Sequence, residues 1–412
     1  MNEHLLQQVI SDQRNIVLKK DRGIIRGFEY DKYIQTNQIT VISGIRRSGK
    51  STLLLQLADH FPNYHFITFD DERLINFTVE DFNSMMIEMK KLFSSHVIVL
   101  DEIQNINQWE RFVRRLHDEE LKVFLTGSNA KLLGSELATH LTGRYTKKEL
   151  FPFSFSEFLK FKGFSFSDKS TGTVSGTLVA FDFYMENGGF PEFIKTNEID
   201  YLKRIYEDII YKDIIVRFGI RNINHFKNLV NFLFTNFTKE ISYNSLAGIL
   251  GIQSTTSIKE YVSFLTESYL LFEIYKFDFS LKRQYISNKK IYVIDNGLRN
   301  IVAFRQSPDK GQLLENLIFI ELKRRNKEIF FYKTKNNHEI DFLIKENELS
   351  LIQVCYDISS PLTYQREIRA LESGMNELNI SSSLLITYNS RELVKTGNHT
   401  IQVIPAWEWL IQ

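Results

Sequence analysis

The run Gly44-Ile45-Arg46-Arg47-Ser48-Gly49-Lys50-Ser51 constrains this chain more than any other feature. It fits G-x-x-x-x-G-K-[ST], with the apolar strand-like segment TVIS before it and the helix-like run KSTLLLQLADHF after it. Glycines at the two ends let backbone N–H groups close around phosphates, and the following helix adds the positive end of its dipole. Lys50 is spaced to reach the β- and γ-phosphates, and the Ser51 hydroxyl to hold Mg²⁺. Gly44, Arg46, Arg47, Ser48, Gly49, Lys50, Ser51 and Thr52 are therefore the expected nucleotide-binding residues, with ATP and Mg²⁺ as cofactors. Such a turn needs a strand and a helix on either side of it, which points to an α/β sheet.

The surrounding pattern agrees. YHFITFDD, HVIVLDE and LKVFLTGSN read as further strands, and residues 80–94 and the Trp109, Phe112, Val113, Leu116 series as helices between them. This alternation predicts a parallel sheet covered by helices on both faces. Ligands of such sheets sit at the carboxyl ends of the strands. Asp101 and Glu102 fall at one such end, where Asp101 suits a metal and Glu102 a general base that polarises water. Thr126-Gly127-Ser128-Asn129 ends the next strand, and Asn129 or Ser128 is the candidate for orienting water or the γ-phosphate.

Composition narrows the rest. The 412 residues suggest two to three domains at roughly 150 residues each. A hydrophobic content of 43% and a charged content of 25% exclude wholesale disorder. With 51 Lys and Arg against 50 Asp and Glu, net charge is no argument for a nucleic-acid binder. The single cysteine, Cys355, excludes a disulfide framework or a Cys-rich metal site. The N-terminus has no apolar run of signal-peptide length, and no stretch of about 18 apolar residues occurs. The expected setting is cytoplasmic, with no membrane partner.

Beyond the first domain (1–160), GFSFSDKSTGTVSGT (163–177) reads as a loop opening a helical region (161–235). Residues 236–300 have a winged-helix rhythm: ISYNSLAGILG, then STTSIKEYVSFLTESYLLFEI, with RQYISNKKIYVID as the hairpin. The last part, 301–412, runs helix, three strands, helix, strand. Residues 281–335 hold 13 Lys and Arg against 5 acids, a local basic belt suited to a DNA backbone or, alternatively, to solvating helix ends beside a protein-binding wing.

Taken together, VISGIRRSGKSTLL, HVIVLDEIQN, FLTGSNAKLL, LTGRYTKKELFPFSFSEFL, GGFPEF, LLENLIFIEL and EIDFLI resemble a prokaryotic family of AAA-type ATPases with a C-terminal nuclease-like domain of unknown function. The implied fold is a P-loop NTPase sheet, then a helical and winged-helix region, then an α/β restriction-endonuclease-like domain. The resemblance implies ATP hydrolysis and matches Arg144 to an arginine that contacts a γ-phosphate in cis or across a homo-oligomer interface. It places Arg46 and Arg47 at phosphates or at an interface. It also implies a PD-(D/E)XK-type centre, with Glu315 matching the helix acid and Asp341 the strand acid. Gln353 and Cys355 stand where that pattern has an acid and a lysine, so the centre is expected to be degenerate, with Asp357 or Glu339 as partial substitutes. The expected activity is Mg²⁺-dependent ATP hydrolysis coupled to a DNA- or protein-binding module. A slow nucleotide-controlled switch and an ATP-regulated nuclease are the rivals.

Overall fold

Buried strands with alternating side chains build the first unit, Met1–Phe151, around a parallel sheet. The computed structural model describes residues 1–128, 141–164, 171–252, 254–303 and 309–412. β1 (Ile39–Ser43), β2 (His65–Thr68), β3 (Val97–Asp101), β4 (Lys122–Gly127) and β5 (Tyr145–Glu149) lie in the order β2-β3-β4-β1-β5. All their pairings are parallel. Period-two alternation splits the side chains between two cores. Ile39, Val41, Ile98, Leu100, Val123 and Leu125 enter one core, and Ile42, Val97, Val99 and Phe124 the other. Each core is closed by helices: Glu3–Lys19, Phe82–Leu92 and Trp109–Asp118 on one face, Lys50–Ala58 on the other. Burying each such Val, Leu, Ile or Phe side chain is worth roughly 1.5–3 kcal/mol. The expected parallel sheet is thus present, with the acid-tipped β3 separated from β1 by β4.

The second unit, Pro152–Gln412, contains one nine-stranded sheet. Its strands are β6 (Glu240–Ile241), β7 (Leu271–Lys276), β8 (Lys289–Val293), β9 (Glu328–Lys333), β10 (Glu339–Lys345), β11 (Leu349–Cys355), β12 (Ser382–Thr387), β13 (Glu392–Thr396) and β14 (His399–Pro405). They run in the order β13-β14-β12-β11-β10-β9-β7-β8-β6. The parallel pairing of β7 with β9 joins the strands expected for the wing to those expected for the nuclease-like part. Sequence periodicity separates 236–300 from 301–412, but one hydrogen-bonded sheet crosses that boundary.

Three local expectations change. Residues 171–177, expected as the end of a loop, instead open the helix Thr171–Asn187, the rest of which is helical as expected. STTSIKEYVSFLTESYLLFEI is not one helix: it stops at Glu267 and resumes as β7 after Tyr269, which has φ +60°. The hairpin is β7 with β8, and RQYI belongs to the short helix Leu281–Ile286 in its connection. The helix pair Tyr243–Leu250 and Thr255–Glu267 is as read, with Gly251 at φ +65° ending the first and Ser254 capping the second.

Candidate nucleotide site and a carboxylate cluster

The phosphate loop leaves β1 at Ser43 and enters the helix Lys50–Ala58 at Gly49, which has φ +97°. Gly44 has no alternative. It sits at φ +148°, and a Cβ there would lie 2.1 Å from the Leu150 carbonyl oxygen. Arg47 adopts φ +66° and is exposed, while Arg46 is half-buried. Lys50 is only 4% exposed, and its Nζ donates to the Ile45 carbonyl at 3.0 Å, inside the loop. The buried Ser48 Oγ has no protein partner, an orphaned hydroxyl on the loop's inner wall. Beneath the loop, Arg26 is buried and donates to the carbonyls of Ser48 and Phe151, each at 2.9 Å. Sequence reading missed Arg26, since nothing local distinguishes an arginine in DRGIIRG from a surface one.

The acid pair closes this site from β3. The Asp101 carboxylate accepts from Ser51 Oγ at 3.1 Å and from Thr126 Oγ1 at the tip of β4. Burial pushes the Asp101 carboxyl above its ordinary range and the Glu102 charge adds to this, against the pull of Thr126, Ser51 and Lys50. Glu102 sits in left-handed backbone at φ +52°, with its N–H donating to Thr126 Oγ1 at 3.1 Å. Its side chain is held by Gln104 Nε2, which also lies 3.4 Å from Ser128 Oγ. Gln104 Oε1 is buried without a partner. Asn129 lies outside the described residues. The closed glycine turn, the orphaned Ser48 hydroxyl and the Ser51–Asp101 contact fit a phosphate chain with its divalent ion.

A second cluster lies in the nine-stranded sheet. Lys290 on β8 is 2% exposed, and its Nζ stands 3.1 Å from Glu315, 2.7 Å from Glu339 and 3.3 Å from Asp341. Tyr292, two residues along the same strand face, donates to Glu315 at 2.7 Å. Burial and the Glu315 charge push Asp341 up to about 8. Burial pushes Glu339 up as well, but the charge and hydrogen bond of Lys290, together with Lys333 and Glu240, hold it below its ordinary range. Gln353 turns elsewhere: its Oε1 accepts from the Asp341 N–H at 3.0 Å, and its Nε2 donates to Glu367 at 2.8 Å. The Cys355 thiol lies 3.4 Å from the Asp357 carbonyl, and burial pushes it up to about 11. Glu315 and Asp341 both face the ammonium of Lys290, a lysine that the sequence did not single out.

A family model described as an AAA domain matches residues 36–159. Models described as domains of unknown function (DUF8612 and DUF4143) match 179–309 and 310–409. An uncharacterized protein of Methanocaldococcus jannaschii is 36% identical over 425 residues, covering 98% of this chain and 95% of that protein. The chain belongs to the same family as that protein. An uncharacterized protein of Haemophilus influenzae is 28% identical, covering 92% of this chain and 96% of its own. The Thermotoga maritima RuvB Holliday junction branch migration motor aligns over 65% of this chain and 93% of its own at 14% identity. Its TM-score is 0.29, too loose to argue from.

Within the AAA domain, Arg144 does not join the phosphate site of its own chain. Its carbonyl accepts from Ile39 N–H at 2.8 Å, at the amino end of β1, and its guanidinium lies 3.4 Å from Asp118. The phosphate loop is at the other end of that five-residue strand, about 17 Å away. Several cations of the basic belt 281–335 are buried or paired with acids. Lys290, Arg299 and Arg324 are buried or nearly so. Arg283 pairs with Asp278, Arg325 with Glu321, Lys327 with Glu346, and Lys333 with Glu240 and Glu339. Arg305 lies outside the described residues. Around the short helix Leu281–Ile286, the apolar Phe279, Leu281, Tyr285 and Ile286 are exposed beside the exposed Lys282 and Arg283. Among the described residues no helix is long and apolar enough to cross a membrane.

Proposed function

We propose that the AAA domain binds ATP and hydrolyses it, and that its turnover drives a protein-binding second unit. The observation that carries the reading is the Ser51–Asp101 contact at 3.1 Å, which closes a complete phosphate loop onto the acid pair of β3. Backbone N–H groups of residues 44–51 bind the phosphates, Lys50 turns from the Ile45 carbonyl to the β/γ oxygens, and Ser48 gains the partner it lacks. Ser51 and Asp101 would hold Mg²⁺, which when bound neutralises phosphate charge. Glu102 takes the proton of the attacking water, and Ser128 with Asn129 orients that water. Arg144 acts on the nucleotide of a neighbouring copy, since its own loop is a strand's length away. For the second unit, the pairing of the belt's cations and the exposed Phe279, Leu281, Tyr285 and Ile286 favour a protein partner over a DNA backbone.

The test is ATP binding and turnover by the full chain. Lys50→Ala should lose nucleotide binding, while Glu102→Gln should bind ATP and turn it over ~10²–10⁴-fold more slowly. Wild-type turnover in Glu102→Gln would remove Glu102 from the role of base. A slow nucleotide-controlled switch is the second reading, and the grip of Gln104 on the Glu102 carboxylate favours it. A wild-type rate close to that of Glu102→Gln, with tight ATP binding, would decide for the switch.

A further inference from the structure

We propose that Lys290 is a built-in counter-cation, its ammonium filling the pocket where Glu315, Glu339 and Asp341 would otherwise bind a divalent metal ion. An ammonium has three N–H donors, and here each has a separate carboxylate within 3.3 Å: Glu315, Glu339 and Asp341. The acids come from two elements. Glu315 projects from the helix Lys310–Arg324, while Glu339 and Asp341 share one face of β10 by their i, i+2 spacing. Three carboxylates converging at a buried point are a strong attractor for a hard cation, because oxygen ligands in that number suit Mg²⁺ or Mn²⁺. Ionised acids left uncompensated at such a site cost several kcal/mol, and the Lys290 ammonium supplies the opposite charge.

Other groups hold the three acids in place. The second Asp341 oxygen accepts from the Val354 N–H at 3.0 Å, Tyr292 donates to Glu315 at 2.7 Å, and the far oxygen of Glu339 lies 3.6 Å from Lys333. Gln353 gives its oxygen to a backbone N–H and its amide to Glu367, so it offers the centre no ligand. With the lysine in place, no group of three or more His, Cys, Asp or Glu among the described residues, this cluster included, is arranged to hold a metal ion. Lys290 thereby does structural work for which other proteins use an ion. It ties β8 to β10 and to the helix across a gap that a metal would bridge, and it makes the centre independent of metal supply.

The probe is Mn²⁺, followed by electron paramagnetic resonance and by thermal unfolding, on the full chain without nucleotide. All proteins carry Lys50→Ala, so that the outcome is independent of the ATPase reading. With Lys290 present, Asp341→Asn should leave the number of bound Mn²⁺ ions unchanged, and chelation by EDTA should not lower the unfolding temperature. Lys290→Met should gain one bound Mn²⁺ per chain, at least tenfold tighter than any weak binding before the change, and should be stabilised by it. Adding Asp341→Asn to Lys290→Met should remove that site. Three results would overturn the proposal. One is a Mn²⁺ ion lost on Asp341→Asn while Lys290 is present, which would make the centre a metal site already. Another is no gain in Lys290→Met. The third is a Lys290→Met chain that Mn²⁺ cannot fold, which would show that the ion does not replace the ammonium.

Discussion

Asp295 shows how one side chain sets the residues around it. Its carboxylate caps the helix Asn296–Val302 by accepting from Leu298 N–H at 3.1 Å, and it accepts from Gly189 N–H at 2.7 Å. That contact bears on the first glycine of GGFPEF, while a Cβ on the second, Gly189, would lie 2.3 Å from the Phe153 carbonyl oxygen. Gly188 is at φ +75°, and a Cβ on it would lie 2.1 Å from the Asp295 carboxylate. Burial pushes the Asp295 carboxyl up to about 6, against the pull of its backbone donors. A carboxyl raised in the native state contributes stability in full below its unfolded value of about 4 and loses it as pH rises through about 6. The stability of wild type relative to Asp295→Asn should therefore fall by about 1 kcal/mol between pH 5 and pH 8. Unfolding temperatures of both proteins at the two pH values check this, and a constant difference would show that Asp295 does not titrate in that window.

At the scale of elements, Asn316 fastens the helix Lys310–Arg324 to the end of β8. It accepts from the Val293 N–H at 2.9 Å and donates to the Val293 carbonyl at 3.0 Å and to Asn296 at 2.9 Å, all in a buried site. Removing it strands a buried N–H and a carbonyl together, each costing about 1–3 kcal/mol. Asn316→Ala should lower the stability of the second unit by about 2–4 kcal/mol by chemical denaturation, and a loss below about 0.5 kcal/mol would show that water or repacking satisfies the strand. The same helix illustrates what periodicity leaves out. Its apolar residues are buried almost all round, and Glu315 and Asn316 are spoken for by residues some 20 positions earlier in the chain.

For the whole molecule, two units with separate sheets predict two unfolding transitions by calorimetry. Mg-ATP at a hundredfold excess over its dissociation constant should stabilise one of them by about 2.7 kcal/mol and leave the other in place. In Lys50→Ala that shift should vanish. A single transition moved as a whole by nucleotide would mean that the units unfold together.

The sequence by itself determined what contiguous residues decide. The glycine turn with Lys50 and Ser51, the strand ending in Asp101 and Glu102, and the strand–helix alternation of residues 36–127 are local, because backbone geometry and a period of two or 3.6 are written in neighbours. Only the tertiary structure decided which distant charges meet. Arg144 reads as a γ-phosphate contact in cis or across an interface, and only the parallel pairing of β5 with β1 places it at the far end of the sheet from its own phosphate loop. The belt reads as +8, and only the structure shows that Arg283, Lys327 and Lys333 pair with Asp278, Glu346 and Glu240 from outside or beside the counted run. Lys290 reads as one lysine of a pair until β8 turns it inward among Glu315, Glu339 and Asp341. Burial and pairing depend on strand order in space, and no spacing along the chain encodes that order.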